Sequence, residues 1–233
     1  MKAAVLHAPK EPLTIEDVTL EKPKAHEVLL RTAFAGLCHS DLHFIEGLYP
    51  HPTPCVLGHE SSAVVEAVGD GVTYVKPGDH VITCLSVFCG TCPQCVTGRP
   101  NLCEDTNVKM LPGAARRMSW KGGDHINQFM NLSSFGEQML VHENSMAKID
   151  PEIPLDRAAL VGCGVLTGVC SVFNAARVEP GTNWSCDKIA RLLELITSCL
   201  KYFHCGKLSS DHSLMRPFSR LALGCRPRAT GGC

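Results

Sequence analysis

The sequence predicts a mainly β domain, either a barrel or a sandwich, followed by one apolar helix. The first 150 residues alternate short runs rich in Val, Ile, Leu and Thr with turn clusters such as 76–79, Lys-Pro-Gly-Asp. This alternation is typical of all-β domains. From 157 to about 177 the residues are small or apolar with few charges, which favours a helix. The predicted strands cover residues 2–7, 13–20, 27–35, 62–68, 80–84, 134–142 and 145–149.

The helix divides the chain into three predicted parts. Asp156 is placed to cap a helix that begins at Arg157, and the turn before Gly181 ends it. Because the segment is apolar on all sides, we expect the helix to be buried between two layers. We therefore predict a β domain over residues 1–156, a helix over 157–181, and a tail over 182–233 that is poorly ordered apart from a helix near 189–203.

The composition indicates a globular protein and argues against several classes of partner. The chain is 45% hydrophobic and 19% charged, with a formal net charge of -1, so we expect neither nucleic acid nor an anionic membrane as partner. The N-terminus has too short an apolar run for a signal peptide. No stretch approaches the roughly 18 apolar residues of a membrane span. The expected compartment is the cytoplasm, where the fourteen cysteines favour metal ligation over disulfides.

Four closely spaced cysteines form the most specific local pattern. They are Cys89, Cys92, Cys95 and Cys103, with the spacing C-x2-C-x2-C-x7-C, in a lobe over residues 86–106. Four thiolates at this spacing can enclose one zinc ion tetrahedrally, which leaves no open position for chemistry. An iron–sulfur cluster is the alternative, but the bacterial ferredoxin run has a shorter third interval and a Cys-Pro ending. A disulfide pair is the weaker alternative.

A second set of potential ligands is scattered along the chain. Cys38 follows a predicted strand, His59 precedes another, and Cys163 lies in the first turns of the apolar helix. Taken singly, each has an ordinary explanation, because cysteine is often buried and a lone histidine is usually a core or surface residue. Together, two cysteines and a histidine would make a catalytic zinc site with a fourth position left for water or substrate. Spacing alone leaves both interpretations open.

Ordered sequence blocks resemble the zinc-containing alcohol dehydrogenases of the medium-chain dehydrogenase family. The resemblance runs from Met1 to about Gly181. It implies a chaperonin-10-like (GroES-like) β-barrel catalytic domain with one structural and one catalytic zinc ion. It also implies a small alcohol or aldehyde as substrate and NAD or NADP as cofactor. The matching blocks are residues 38–41, 58–60, 75–80, 89–103, 134–135, 162–164 and 167–168.

The resemblance assigns roles to residues around the second ligand set. Cys38, His59 and Cys163 match the ligands of the catalytic zinc. Asp41 matches the carboxylate that orients the histidine ligand. Glu60 matches the acid that lies behind the metal and can approach it.

The resemblance also implies a proton path and cofactor contacts. Ser40 would take the proton from the alcohol, and His43 would pass it towards solvent through the cofactor ribose. His39 matches a position that contacts the cofactor pyrophosphate, and Thr167 one beside the nicotinamide. Tyr49 is expected to bear on the choice of alcohol.

The family pattern breaks after Gly181. The family continues there with a strand and a Gly-x-Gly-x-x-Gly turn that carries the cofactor phosphates, but residues 182–233 contain no such turn. The near match at 162–167 ends in Thr167 and contains Cys163, so it is not a phosphate-binding turn. We expect a chain that lacks its nucleotide-binding half through a reading-frame change or truncation, with impaired activity. The alternative is a non-catalytic zinc-binding protein with a GroES-like barrel.

Overall fold

The computed structural model describes residues 1–109, 117–175 and 177–178. The described fold is the compact unit Met1–Ala175. The predicted tail over 182–233, its helix near 189–203 and the end of the predicted helix at 181 lie outside the described residues.

The described residues form ten strands and four short α-helices. The strands are β1 (Lys2–Leu6), β2 (Thr14–Leu20), β3 (Glu27–Ala35), β4 (Cys55–Val56), β5 (Ser61–Val68), β6 (His80–Thr83), β7 (Met118–Trp120), β8 (His125–Gln128), β9 (Gln138–His142) and β10 (Met146–Lys148). The α-helices are α1 (His39–Ile45), α2 (Pro93–Val96), α3 (Leu155–Ala158) and α4 (Gly164–Cys170). One-turn 3-10 helices span Pro100–Leu102, Glu143–Ser145 and Ala159–Gly162, and a π-helical turn spans Ser171–Ala175.

Five strands close into a barrel in the order β1-β2-β7-β8-β4. The pairs are antiparallel, except that β4 runs parallel to β8. Alternate residues of a strand point to opposite faces, so Ala3 and Val5 of β1 both face the interior. The buried side chains of the barrel core are Ala3, Val5, Val18, Val56, Met118 and Ile126.

The other five strands form an antiparallel sheet in the order β10-β6-β5-β3-β9. Val28 and Leu30 of β3 are fully buried, as is Ala63 of β5, and together they build one side of the sheet's core. The central pair β3–β5 carries the residues that lead into the functional site. The mainly β barrel domain predicted from the sequence is confirmed.

Six of the seven predicted strands agree with the structure within two residues at each end. β4, β7 and β8 lie outside the predicted strands, because their sequences are Cys-Val, Met-Ser-Trp and His-Ile-Asn-Gln. These are too short or too polar to stand out as runs rich in Val, Ile, Leu and Thr. The predicted strand over 134–142 begins only at Gln138. Its first residues instead donate backbone hydrogen bonds to the loop before β5: Ser134 N–H to Gly58 O and Phe135 N–H to Leu57 O, both at 3.0 Å.

The apolar segment after residue 154 is not one continuous helix. Pro154 is the N-cap of α3 and Asp156 lies in its first turn, so the predicted cap at Asp156 is wrong. The helix is interrupted at Cys163, and the segments Leu155–Gly162 and Gly164–Asn174 are bent by 53°. The first of these two pieces packs on the sheet, where Ala158 and Ala159 are each 2% exposed.

The predicted burial of this helix is also wrong for the described residues. Its large apolar side chains are exposed because the part of the chain that the structure describes has no second layer over them. These side chains are Leu160, Val161, Val165, Leu166, Val169 and Phe173. No single helix in the described ranges is long and apolar enough to cross a membrane. The bent pair of helices is long and apolar enough by length and composition only, which is also true of many helices in protein cores.

One buried arginine joins the barrel to the sheet. The side chain of Arg117, which precedes β7, is 4% exposed. Its Nε donates to Glu21 after β2 at 2.6 Å, its Nη1 donates to Glu27 at the start of β3, and its Nη2 donates to the carbonyl of Lys22 at 2.7 Å. Because the Glu27 side chain is only 13% exposed, the ion pair with Arg117 offsets the cost of burying this carboxylate.

We predict that Arg117→Ala lowers the free energy of unfolding by about 3 kcal/mol, because it leaves the Glu27 carboxylate buried without a cation. Urea unfolding of the variant and the parent protein measures the difference. Lys2→Ala is the matched control, since it removes an exposed pair with Asp17 whose atoms are 3.6 Å apart, worth about 0.5 kcal/mol or less. If the two variants were equally stable, Arg117 would not be the link between the two sheets.

Candidate functional site

The pairing of β3 with β5 brings Cys38 and His59 together. Ala35, the last residue of β3, is opposite Ser61, the first residue of β5. One further backbone hydrogen bond, from Gly36 N–H to Glu60 O at 2.8 Å, extends this ladder beyond the strands. Cys38 follows the ladder by two residues and His59 precedes it by one. Two sequence-distant side chains therefore emerge at the same end of the sheet.

Asp41 then fixes the orientation of both segments. It lies in the first turn of α1 and is 3% exposed. Its Oδ2 accepts a hydrogen bond from the backbone N–H of Cys38, the N-cap of α1, at 3.3 Å. Its Oδ1 lies 2.9 Å from Nδ1 of His59 and accepts the N–H of Gly58 at 3.3 Å. With Nδ1 engaged, Nε2 is the ring nitrogen that remains for a metal ion.

Cys163 is brought to the same place by the bent helical segment. The carbonyl of Leu155 in α3 accepts a hydrogen bond from the Ser62 hydroxyl at 2.6 Å. Gly162 lies directly against β6, where a Cβ atom would be 2.3 Å from the carbonyl oxygen of Thr83. Cys163 is the residue between the two helical pieces, with φ -138° and ψ -73°. Its sulfur is 3.9 Å from the sulfur of Cys38.

These three side chains fit a zinc ion. Two sulfurs bound tetrahedrally to one zinc at about 2.3 Å lie roughly 3.8 Å apart, close to the observed 3.9 Å between Cys38 and Cys163. Ligand atoms of Cys38, His59 and Cys163 all lie within 4.8 Å of one another. Two thiolates and one imidazole are a donor set that zinc accepts in catalytic sites, where the fourth position stays open.

The electrostatics of the set distinguish its two sulfurs. The hydrogen bond with His59, aided by Ser40 and opposed by burial, lowers the pKa of Cys38 to about 7. Burial raises the pKa of Cys163. Burial alone would lower the pKa of His59, but hydrogen bonds with Asp41 and Cys38 outweigh it and raise the pKa to about 11. Metal binding at these residues would therefore compete with protonation.

The four cysteines of the lobe form a second, separate cluster. Their ligand atoms lie within 4.8 Å of one another. The sulfur of Cys92 is 3.5 Å from that of Cys95 and 3.9 Å from that of Cys103, and the sulfurs of Cys89 and Cys95 are 4.0 Å apart. These separations also fit one tetrahedral zinc ion. The nine cysteines in the described residues are free thiols.

Local backbone geometry explains how this lobe wraps around a point. Cys92 caps α2 and Cys95 lies within it, while Cys103 closes the 3-10 turn Pro100–Leu102. Backbone N–H groups point at the sulfurs, since those of Thr91 and Cys92 donate to Cys89 at 3.4 and 3.3 Å. Hydrogen bonds from the side chain and backbone of Thr91 lower the pKa of Cys89 to about 6.

The predicted proton path begins beside the three-residue set. Ser40 contacts Cys38 through both its backbone and its side chain. His43 lies three residues further along α1, on the same helix face as Ser40. Its ring meets those of His39 and Tyr49 edge-on, with centroids 4.5 and 5.2 Å apart.

The two predicted cofactor contacts are both exposed. His39 is the first residue of α1, and Thr167 lies one helical turn beyond Cys163, whose carbonyl accepts the Thr167 N–H at 2.9 Å. The packing of Gly162 against Thr83 does not follow from the sequence pattern. The glycine on each side of Cys163 was the available signal, because glycine often marks a close approach of the backbone.

Comparison with known proteins agrees with this arrangement. Residues 24–151 match the alcohol dehydrogenase GroES-like domain. The chain is 46% identical over 187 residues to alcohol dehydrogenase class-3 of Pisum sativum, covering 78% of the chain and 49% of the relative. It is 41% identical over 184 residues to S-(hydroxymethyl)glutathione dehydrogenase of Saccharomyces cerevisiae, covering 77% and 48%. The chain thus spans about half the length of the curated relatives it matches.

Solved structures give the same result. An alcohol dehydrogenase zinc-binding domain protein from Burkholderia ambifaria superposes with a TM-score of 0.71 at 35% identity, covering 78% of the chain and 50% of that protein. Benzyl alcohol dehydrogenase from Acinetobacter calcoaceticus superposes with a TM-score of 0.67 at 34% identity, covering 78% and 50%.

We predict that Gly162→Ala lowers the free energy of unfolding by about 1–3 kcal/mol, because the added methyl overlaps the Thr83 carbonyl and overpacks the site. To relieve this overlap the backbone at residue 162 has to move, and we expect the movement to carry Cys163 away from Cys38. Gly168→Ala is the control, since no atom lies within 4 Å of its added Cβ and alanine is the better helix former. Urea unfolding should show the control to be as stable as the parent or more so. Equal stability of the two variants would contradict the close approach at Gly162.

Proposed function

Because the chain belongs to the zinc-containing alcohol dehydrogenases of the medium-chain family and carries their GroES-like domain, we propose that it is the metal-holding part of an oxidoreductase. The reaction interconverts an alcohol and an aldehyde or ketone with NAD or NADP. The observation that carries the proposal is the convergence of Cys38, His59 and Cys163, which offers a metal ion three ligands and leaves one position for the alcohol.

A zinc ion held by these three residues is the proposed catalytic ion. When bound, it would supply a Lewis acid that lowers the pKa of an alcohol hydroxyl at the open position. Asp41 orients the His59 ring by accepting its Nδ1–H. Since the Asp41 and His59 side chains are only 4% and 1% exposed, this contact is shielded from water and holds the ring in one orientation.

Two residues of α1 are proposed to carry the proton of the alcohol. Ser40 lies beside Cys38, so its hydroxyl is placed to accept a proton from an alcohol at the neighbouring open position. His43 lies on the same face of α1, where its ring is placed to take that proton onward towards solvent. Tyr49, whose ring contacts that of His43, is proposed to limit the shape of the alcohol.

The remaining proposed groups are a second zinc ion and the nicotinamide cofactor. The cysteines 89, 92, 95 and 103 would hold a zinc ion that stabilises the lobe, because four thiolates leave no open position. The nicotinamide would supply the hydride acceptor. His39 and Thr167, both exposed, are proposed to contact it. Glu60 lies beside the segment of Cys163, whose neighbour Gly164 donates its N–H to the Glu60 carboxylate at 2.9 Å.

A second candidate function is a zinc-binding GroES-like protein without catalysis. It is favoured by one observation, that residues 182–233 contain no Gly-x-Gly-x-x-Gly turn for the cofactor phosphates. The same observation leads us to expect low turnover from the chain by itself, because hydride transfer depends on holding the nicotinamide against the alcohol.

Cobalt(II) bound in place of zinc tests the open position without turnover, since its visible absorption changes when a ligand changes. We predict that an alcohol or aldehyde, tested among benzyl alcohol, benzaldehyde and S-(hydroxymethyl)glutathione, shifts the spectrum in a saturable way. Cys38→Ser should abolish the shift. Cys84→Ser, a half-buried cysteine outside both sets, should retain it. If none of the compounds shifted the spectrum, the non-catalytic candidate would be favoured instead.

A further inference from the structure

Glu60 touches the segments of all three proposed catalytic ligands. It follows His59 directly in the chain and is 4% exposed. Its carbonyl accepts the N–H of Gly36 at 2.8 Å, and its side-chain Oε1 accepts the N–H of Gly164 at 2.9 Å. Gly36 precedes Cys38 by two residues, and Gly164 follows Cys163. One buried residue therefore connects three pieces of chain, the last of which lies 104 positions away.

The packing leaves space for the Glu60 side chain and for little else. A Cβ atom at Gly36 would lie 2.9 Å from both Cδ and Oε2 of Glu60, and one at Gly164 would lie 3.2 Å from Oε1. Both neighbours are glycines, so the carboxylate reaches the Gly164 backbone without obstruction. A buried carboxylate is costly unless hydrogen-bonded, and the Gly164 N–H satisfies part of that requirement.

The hydrogen bond between Gly164 and Glu60 lies at the break between the two helical pieces. The helical segment breaks at Cys163, and the first N–H groups of the following helix have no partner within that helix. Gly164 is the first residue of α4, so its N–H is one of these groups. Packing at Gly162 limits one side of Cys163, and the Glu60 bond limits the other.

We propose that Glu60 is a positioning residue that holds Cys163 beside Cys38 before any metal ion binds. The metal-binding role of these cysteines rests on the proposed function above, whereas the hydrogen bond between Glu60 and Gly164 is a contact within the polypeptide. The mechanism depends on the reach of the side chain to Gly164, not on its charge. Preorganised ligands bind metal more tightly, and loss of such a supporting contact typically weakens affinity by about 10–100-fold.

Two variants distinguish the effect of the length of the Glu60 side chain from the effect of its charge. Glu60→Gln removes the charge but keeps a side-chain oxygen at the same distance from Gly164. Glu60→Asp keeps the charge but shortens the side chain by one methylene, so the bond to Gly164 is lost. Both are conservative changes that are expected to fold, which circular dichroism and urea unfolding check. Glu66→Asp is the control, because Glu66 lies within β5, away from Gly164, and pairs with Arg31 at 3.6 Å.

Two measurements are made on the full chain after metal is removed from Cys38, His59 and Cys163. Amide hydrogen exchange measures protection of the Gly164 N–H. A short reagent with two thiol-reactive ends, followed by peptide mass spectrometry, measures crosslinking of Cys38 to Cys163, whose sulfurs are 3.9 Å apart. We expect Glu60→Asp to accelerate Gly164 exchange about 10-fold or more and to reduce the crosslink. Glu60→Gln and Glu66→Asp should resemble the parent protein.

The opposite pattern, in which Glu60→Gln loses protection and crosslinking while Glu60→Asp keeps them, would overturn the proposal in favour of a role for the charge. Unchanged exchange or crosslinking in Glu60→Asp would overturn it as well. A cobalt titration of the same proteins then tests the proposed function separately. The expected exchange and crosslinking results could be found while no cobalt binds at Cys38, His59 and Cys163. That outcome would contradict the proposed function and leave the positioning role of Glu60 supported.

Discussion

The antiparallel pairing of β3 with β5 is the constraint on which the site depends. It sets Ala35 opposite Ser61 and so brings the segment before Cys38 next to the segment after His59. A one-residue slip of this register would turn every side chain of the strand to the other face. The fully buried Val28, Leu30 and Ala63 prevent the slip, because it would expose them. The hydrophobic core thus sets the position of two polar ligands.

Cys163, the third proposed ligand, is positioned in a different way, because it lies 125 positions from Cys38 and on no strand. The chain reaches it by a short helical segment anchored on β5 and β6 and broken at the cysteine itself. A continuous helix would carry Cys163 in regular helical geometry, whereas the break lets Gly162 approach Thr83 and Gly164 approach Glu60. The convergence of the three proposed zinc ligands is therefore built from a sheet register and a helix break.

The sequence predicts the parts of this arrangement that depend on local pattern. Runs rich in β-branched and apolar residues between turn clusters identify most of the longer strands, and cysteine spacing identifies the lobe. The family resemblance names Asp41 as the partner of His59, and the two are 2.9 Å apart. The break at Cys163 is not predicted, because the apolar run is compatible with one helix or two, and a glycine inside a helical pattern does not by itself mark the end of the helix. The hydrogen bonds of Arg117 escaped prediction for another reason. Its partners are 90 or more positions away, and only the tertiary structure brings them together.

X-ray absorption at the zinc edge, combined with elemental analysis, shows whether Cys38, His59 and Cys163 hold a zinc ion in addition to the one in the lobe. A four-thiolate site and a site with two thiolates, one imidazole and one open position average about three sulfur ligands per zinc. We expect two zinc ions per chain with this average, and one ion with four sulfur ligands in Cys38→Ser. A single ion with four sulfur ligands in the parent protein would contradict this expectation, because Cys38, His59 and Cys163 would then converge without holding a metal ion.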